Sequence, residues 1–89
     1  MSKDMKNFET SDIGLTVALF TYGFNIMELI ETSPRKIVFI FKGEENLEQI
    51  ISDYWDSKLI LPAIKLISNH RVIKQRIYEK LKAPEKASE

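Results

Sequence analysis

The sequence predicts a small α+β protein in the element order β-α-β-β-α-α, with three helices covering one face of a three-stranded antiparallel sheet. Apolar residues recur at helical spacing in three segments, and between the first two of these the pattern changes to the period of two typical of strands. A chain of 89 residues has the size of one domain with a single core. We expect residues 7–82 to form that domain, residues 1–6 to be disordered and residues 83–89 to be a frayed tail.

The first strand and helix are predicted around a group of capping residues. Asn7–Thr10 is a short extended segment, and Thr10-Ser11-Asp12 supplies side chains that favour a helix N-terminus. Gly23 can take the positive φ that ends a helix, which places Phe24 against Leu19 as in a Schellman motif. The apolar residues at helical spacing between these signals are Leu15, Ala18, Leu19 and Tyr22.

Two strands joined as a hairpin are predicted next. Residues alternate with a period of two from Phe24 to Ile30, and Thr32-Ser33-Pro34 has the composition of a turn. Ile37–Phe41 is a continuous run of β-branched and aromatic residues, which is typical of a strand that is covered on both faces and therefore central. Because the first strand is also expected to pair with it, the predicted sheet order is 1-3-2.

The last two helices are predicted from their boundaries and their apolar rows. Gly43-Glu44-Glu45 opens the second helix and Asp56-Ser57-Lys58 ends it, whereas Pro62 suits the first position of the third helix, which should stop before Pro84. The second helix has the row Leu47, Ile50, Ile51 and Tyr54, and the third has Leu66, His70, Ile73, Ile77 and Leu81, broadened by Ile67, Lys74 and Tyr78. The residues expected to meet in one core are Leu19, Phe39, Phe41, Ile50 and Ile77.

Composition argues against several classes of protein. The chain has no cysteine, which excludes a disulfide framework and a thiolate zinc site and favours a reducing cytoplasm. It has no apolar run of the length that a signal peptide or a membrane span requires. Its glycines are isolated, so no phosphate-binding loop is predicted. We therefore expect a cytoplasmic protein with no cofactor, no metal and no membrane contact.

Several short motifs consist of capping, glycine and aromatic residues. They are Phe8-x-Thr10-Ser11-Asp12, Leu15 with Ala18 to Phe24, Arg35-x-x-x-Phe39-x-Phe41, Tyr54-Trp55, and Lys74-x-Arg76-Ile77-Tyr78. With these motifs the chain resembles, over roughly residues 7–80, a family of small bacterial and mobile-element domains of unknown function. Because the positions are mostly structural, the resemblance supports the fold and implies no established activity.

The charges are distributed unevenly along the chain. Residues 1–57 carry ten acidic and five basic side chains, whereas residues 58–82 carry seven basic and one acidic. The basic third helix can be a solvated face, can contact nucleic-acid phosphates, or can pair with the acidic second helix within the chain or across a dimer. The candidate binding residues are Lys65, Arg71, Lys74, Arg76, Lys80 and Lys82.

Apolar residues near the end of the second helix are candidates for an interface between proteins. Trp55 is expected at the edge of the core, and Leu59 and Leu61 lie in the apolar link that follows it. Packing at the core's edge is the simpler role for Trp55, and the alternative is an exposed aromatic anchor of the kind that dominates interface hot spots.

The other polar candidates favour structural roles. His70 is the chain's single histidine and falls in an apolar row, so packing at the core's boundary is predicted rather than catalysis or metal binding. The carboxylates at helical spacing are expected to be a solvated face, because they lack the turn geometry of an oxygen cage for a cation. They are Glu45, Glu48, Asp53 and Asp56.

These observations favour a non-enzymatic interaction module that forms a homodimer or binds another protein. The alternative is a nucleic-acid-binding accessory protein that uses the basic third helix. An enzyme whose site has no recognisable motif is the third and weakest hypothesis, because the usual nucleophile, metal and phosphate signatures are missing. The arrangement of the charged helices distinguishes the two hypotheses, since adjacent opposite faces favour protein interaction and a continuous unpaired basic surface favours nucleic acid.

Overall fold

The predicted order of elements and of strands is confirmed. The structure, a computed structural model, describes residues 6–34 and 36–87, with side chains as far as Leu81. Its elements are β1 (Phe8–Thr10), α1 (Ile13–Tyr22), β2 (Ile26–Ser33), β3 (Lys36–Phe41), α2 (Leu47–Trp55) and α3 (Ala63–Ala87). The strands form one antiparallel sheet in the order β1-β3-β2. The predicted disorder of residues 1–6 falls, apart from Lys6, outside the described residues.

Both ends of α1 are capped as predicted. The Asp12 carboxylate accepts a hydrogen bond of 2.9 Å from the backbone N–H of Leu15. At the C-terminal end Gly23 has a φ of 128°, and the backbone N–H of Phe24 donates to the Leu19 carbonyl oxygen at 3.0 Å. That bond is the one that defines a Schellman motif.

The middle of α1 is buried on every side. The consecutive residues from Leu15 to Leu19 are all buried, and burial of more than a full turn requires neighbours all around the helix. Those neighbours include α2 and α3, which both pack against α1. Tyr22, predicted in the apolar row, is instead exposed and stacks on the ring of Phe24 with 5.3 Å between centroids.

The central position of β3 is confirmed, but the prediction that both of its faces are covered is wrong. Ile37, Phe39 and Phe41 point into the core and are buried, whereas Val38 and Ile40 on the opposite face are half-buried. On this second face Val38 pairs with Ile30 of β2, which is itself exposed.

β2 differs from the prediction at both ends. It begins at Ile26, because Phe24 takes part in the capping of α1, and it runs through Ser33, so the hairpin turn lies at Pro34. The pairing with β3 shifts register between Ile26 and Glu28 and again between Glu31 and Ser33. A bulge changes which face the following side chains occupy, and a simple alternation in the sequence therefore does not identify the core-facing residues of this strand.

The second helix begins later than predicted and ends where predicted. Glu45 and Asn46 form a turn before Leu47, so the glutamates precede α2 instead of opening it. At the other end Ser57 has a φ of 62°, and the backbone N–H of Lys58 donates to the Asp53 carbonyl oxygen at 2.8 Å. This ending repeats the hydrogen bond seen after α1, with a serine in the position that favours glycine.

The third helix does not stop before Pro84 but continues to Ala87, so that prediction is wrong. A proline removes one backbone hydrogen bond, and the residues on both sides of Pro84 include the strong helix formers alanine, lysine and glutamate, which favour continuation. The predicted frayed tail therefore includes helical backbone as far as Ala87, and residues 88 and 89 lie outside the described residues.

The Tyr54 side chain joins α2 to the start of α1. A Cβ atom on Gly14 would lie 2.6 Å from the Tyr54 hydroxyl oxygen, so glycine leaves room for the ring. Burial raises the pKa of Tyr54, and the Asp12 carboxylate raises it further. The folded state therefore favours the neutral phenol. The contribution of Tyr54 to the free energy of unfolding is fully present below the ordinary tyrosine pKa of about 10 and decreases as the pH rises above it.

Candidate interaction surface

One side of α3 packs on the core, as predicted, but it is narrower than predicted, because Ile67, Lys74 and Tyr78 are exposed. Ile73 is fully buried, and Leu66, Ile77 and Leu81 pack against the core cluster. His70 is exposed, so its predicted packing role is wrong. Asn69 lies on the protein side instead, where its Nδ2 donates to the Thr21 hydroxyl oxygen at 3.0 Å. A polar residue can lie on this side of the helix because its side chain has a hydrogen-bond partner on α1.

A second group of apolar side chains on α3 faces solvent. Ile64 is 79 % exposed and Ile67 is 59 % exposed. Residues three or four positions apart share one side of a helix, so these isoleucines continue into Arg71 and Lys74, both of which are exposed. We call Ile64, Ile67, Arg71 and Lys74 the outer row of α3. At about 100° per residue, this row lies on the side of the helix away from Ile73.

The second helix also presents a row to solvent. Glu48, Ser52 and Trp55 are exposed at spacings of four and three, and exposed Asp56 follows at the helix end. Trp55 is 59 % exposed and meets Tyr54 edge to face, with 4.9 Å between ring centroids. We call Glu48, Ser52, Trp55 and Asp56 the outer row of α2.

The link between α2 and α3 turns its leucines inward. Leu59 packs against the core and Leu61 is half-buried, so these interface candidates are less accessible than the hypothesis requires. Ile60, between them, is 90 % exposed. Successive side chains of an extended segment point to opposite sides, which accounts for the difference.

Sequence reasoning missed Ile60, Ile64 and Ile67 as surface residues. A signal for the last two was present: they form an apolar row that is offset from the row containing Leu66 and Ile73. Of two apolar rows that lie on different sides of one helix, only one can face the core.

The predicted basic candidates lie on two sides of α3. All that are described, Lys65, Arg71, Lys74, Arg76 and Lys80, are exposed, and the side chain of Lys82 lies outside the described residues. Arg71 and Lys74 belong to the outer row, whereas the spacing of Lys65, Arg76 and Lys80 places them on another side. The Arg76 guanidinium also lies 5.8 Å from the centroid of the Phe20 ring, within the range of a cation–π contact.

The predicted carboxylate row does not form as one line on α2. Glu45 precedes the helix, and the half-buried Asp53 accepts a hydrogen bond of 2.9 Å from Gln49. Within residues 6–34 and 36–87, no group of three or more histidine, cysteine, aspartate or glutamate side chains is placed to hold a metal ion.

The described carboxylates of α2 form no hydrogen bond with the described cations of α3. α1 packs against both of them. Among the described side chains, the hydrogen bonds of the carboxylates on the two helices stay within each helix, from Gln49 to Asp53 and from Gln75 to Glu79. The structure therefore shows neither of the two expected arrangements. The described charged side chains of the two helices are not paired with each other, and the basic side chains of α3 do not form one continuous surface.

Two shallow grooves lie elsewhere on the described surface. One of ≈ 190 Å³ is lined by Tyr22, Gly23, Phe24, Glu44, Glu45 and Asn46. The other, of ≈ 250 Å³, is lined by Ser11, Ile13, Lys36, Ile37, Phe39 and Ile77. Neither lining contains the histidine.

None of the described helices has both the length and the apolar character needed to cross a membrane.

Comparison with known proteins identifies a family. No curated protein and no solved structure matches the chain. The family described as a domain of unknown function, DUF5659, matches residues 5–79. Because this match covers most of the sequence and contains every strand, the chain belongs to the DUF5659 family.

Proposed function

We propose that this protein is a non-enzymatic interaction module that forms a homodimer through the outer sides of α2 and α3. The observation that carries the proposal is the exposure of Ile60, Ile64 and Ile67 together with Trp55. Single exposed apolar residues are ordinary, but large aliphatic and aromatic side chains that gather on consecutive turns mark a contact surface. Tryptophan is also enriched among the residues that contribute most to binding.

The energetics favour association of moderate strength. Complete burial of an isoleucine contributes about 1.5–3 kcal/mol, and in a symmetric dimer each buried side chain contributes twice. Against this gain stands the loss of translational and rotational freedom, about 4–15 kcal/mol. The gain from burial and the loss of freedom are similar in size. We therefore expect a dimer that dissociates on dilution rather than a permanent one.

The proposal includes a cellular setting. A chain without cysteine has no need of an oxidising compartment, which supports a cytoplasmic location. The motifs noted in the sequence support an origin in bacteria or mobile elements. Neither enzymatic activity nor a cofactor is part of the proposal.

The test is a double substitution in the outer row of α3. The wild type should sediment as a dimer at high micromolar concentration, and Ile64→Gln with Ile67→Gln should sediment as a monomer, because the apolar contact is replaced by solvated amides. Glutamine is a good helix former, so the melting temperature of the dilute variant should not fall. Val72→Gln is the matched control, since Val72 is an exposed apolar residue on another side of the same helix.

Two outcomes contradict the homodimer. One is a wild type that remains monomeric at high micromolar concentration. The other is an Ile64→Gln/Ile67→Gln variant that associates as strongly as the wild type and the Val72→Gln control.

Nucleic-acid binding is the second candidate function, and the exposure of the basic side chains on α3 favours it. Arg71 and Lys74 are exposed and unengaged by α2, so they are accessible to phosphates. If they bind a backbone, Arg71→Gln with Lys74→Gln should abolish retention of a DNA or RNA probe, and the affinity of the wild type should fall steeply with added salt. Absence of any shift of duplex or single-stranded probe by the wild type at low salt excludes this function.

A further inference from the structure

We propose that two copies of the chain dock in a crossed manner, with the outer row of α2 of each copy lying on the outer row of α3 of the other. This inference rests on the homodimer proposed above and names the surfaces that meet. It requires no other partner and no ligand.

The two outer rows are complementary in chemistry. The row on α2 combines Trp55 with the carboxylates of Glu48 and Asp56, and all of these are exposed. The row on α3 combines exposed isoleucines with the exposed cations of Arg71 and Lys74. Each row therefore offers an apolar part and a charged part, and the charges are opposite in sign.

The spacing along the two helices also matches. Glu48 and Trp55 are seven residues apart on α2, and Ile67 and Lys74 are seven residues apart on α3. At about 1.5 Å per residue, both separations are about 10 Å along the helix axis. In an antiparallel arrangement, Trp55 can therefore cover Ile67 while Glu48 meets Lys74.

Charge repulsion disfavours the simpler pairings of like helices. Contact of α3 with α3 of the second copy gives Arg71 and Lys74 no carboxylate of the outer row of α2 to meet, and in the register that joins these two residues it places like charges together. Antiparallel contact of α2 with α2 places Glu48 close to Asp56 of the other copy. Like charges placed together are destabilising, so the crossed arrangement is the one that neutralises both rows.

In a symmetric dimer the crossed contact is made twice. α2 and α3 both pack against α1, so one folded unit carries both outer rows. A two-fold axis that passes between the copies then relates the two crossed contacts to each other. The resulting dimer is closed and uses one self-complementary surface, which accounts for a defined dimer rather than an open chain of copies.

The experiment reverses the charge of each row, first separately and then together. Glu48→Arg alone, and Arg71→Glu with Lys74→Glu, should each weaken dimerisation by about tenfold or more in sedimentation equilibrium. A chain carrying all of these changes should dimerise about as strongly as the wild type, because both crossed contacts regain opposite charges. Contact of α3 with α3 predicts no such recovery, since the like charges remain.

Matched reversals serve as controls. Lys65→Glu with Lys80→Glu changes two exposed cations on another side of α3, and Glu9→Arg changes an exposed carboxylate on the sheet. Both should leave dimerisation unchanged. Thermal melts of every variant at low concentration show whether the monomer still folds.

The outcomes separate this inference from the proposed function. Recovery in the combined variant supports crossed docking. Crossed docking is overturned if the separate reversals leave dimerisation unchanged, or if the combined variant dimerises as weakly as the weaker of the two separate variants. In that case the homodimer itself still stands if Ile64→Gln/Ile67→Gln abolishes dimerisation. A wild type that never associates overturns both.

Discussion

Phe39→Ala is expected to lower the free energy of unfolding by about 3–5 kcal/mol, because it removes an aromatic ring from the centre of the core. Phe39 is 1 % exposed and lies on the central strand, where it pairs with Thr10 on one side and Leu29 on the other. Total stabilities of small domains are about 5–15 kcal/mol, so the loss should unfold much of the protein at elevated temperature. Chemical denaturation followed by circular dichroism measures the change.

The neighbouring residue supplies the control for Phe39. Val38 is half-buried on the opposite face of β3, and Val38→Ala should cost no more than about 1.5 kcal/mol. Equal losses for the two substitutions would contradict the assignment of one covered and one open face to the sheet.

Ile73→Ala is expected to cost about 2–5 kcal/mol, because a fully buried isoleucine leaves a cavity between α3 and the core when it is truncated. Ile73 is 0 % exposed, the most buried of the described side chains of α3. The same substitution at Ile64, on the solvent side of the same helix, should leave the monomer unchanged or slightly more stable, since alanine is the better helix former. Both variants should be melted at low concentration, where no dimer contributes to stability.

The comparison of these two isoleucines tests how α3 is oriented. If Ile64→Ala destabilised the dilute protein as much as Ile73→Ala, the outer row would be part of the core and the proposed interface would not exist.

Local signals in the sequence were sufficient for much of the fold. Asp12 and Gly23 cap α1 as predicted, because capping depends on a few adjacent backbone groups. The apolar run around Phe39 identifies the central strand, and the helical spacing of Leu47 and Ile50 identifies the buried side of α2. Each of these features is decided within one element.

Features that depend on contacts between elements could not be predicted in the same way. α3 has two apolar rows, and spacing shows which residues share a side but not which side meets the core. Asn69 is accepted beside the core, with His70 left exposed, because Thr21 of α1 supplies a hydrogen-bond partner, and this depends on how two helices pack. The β2 bulges likewise arise from pairing with β3.

The candidate surface was predicted in part. Trp55 and the basic residues of α3 were identified from the sequence, and Trp55, Arg71 and Lys74 are exposed. The packing of α1 against both charged helices could not be inferred from composition. The division of the basic residues between two sides of α3 follows from helical spacing once the bounds of the helix are known.

The fluorescence of Trp55 in the wild-type protein tests the proposed interface most directly. Trp55 is the chain's single tryptophan, so its emission reports on the outer row of α2 without interference from another tryptophan. On dilution from high micromolar to nanomolar concentration, the emission maximum should move to longer wavelength, because a side chain covered in the dimer becomes exposed in the monomer. The Ile64→Gln/Ile67→Gln variant should show the long-wavelength emission at every concentration. An emission maximum that is already at the exposed position at high concentration, and unchanged by dilution, would contradict an interface formed by Trp55 and the outer row of α3.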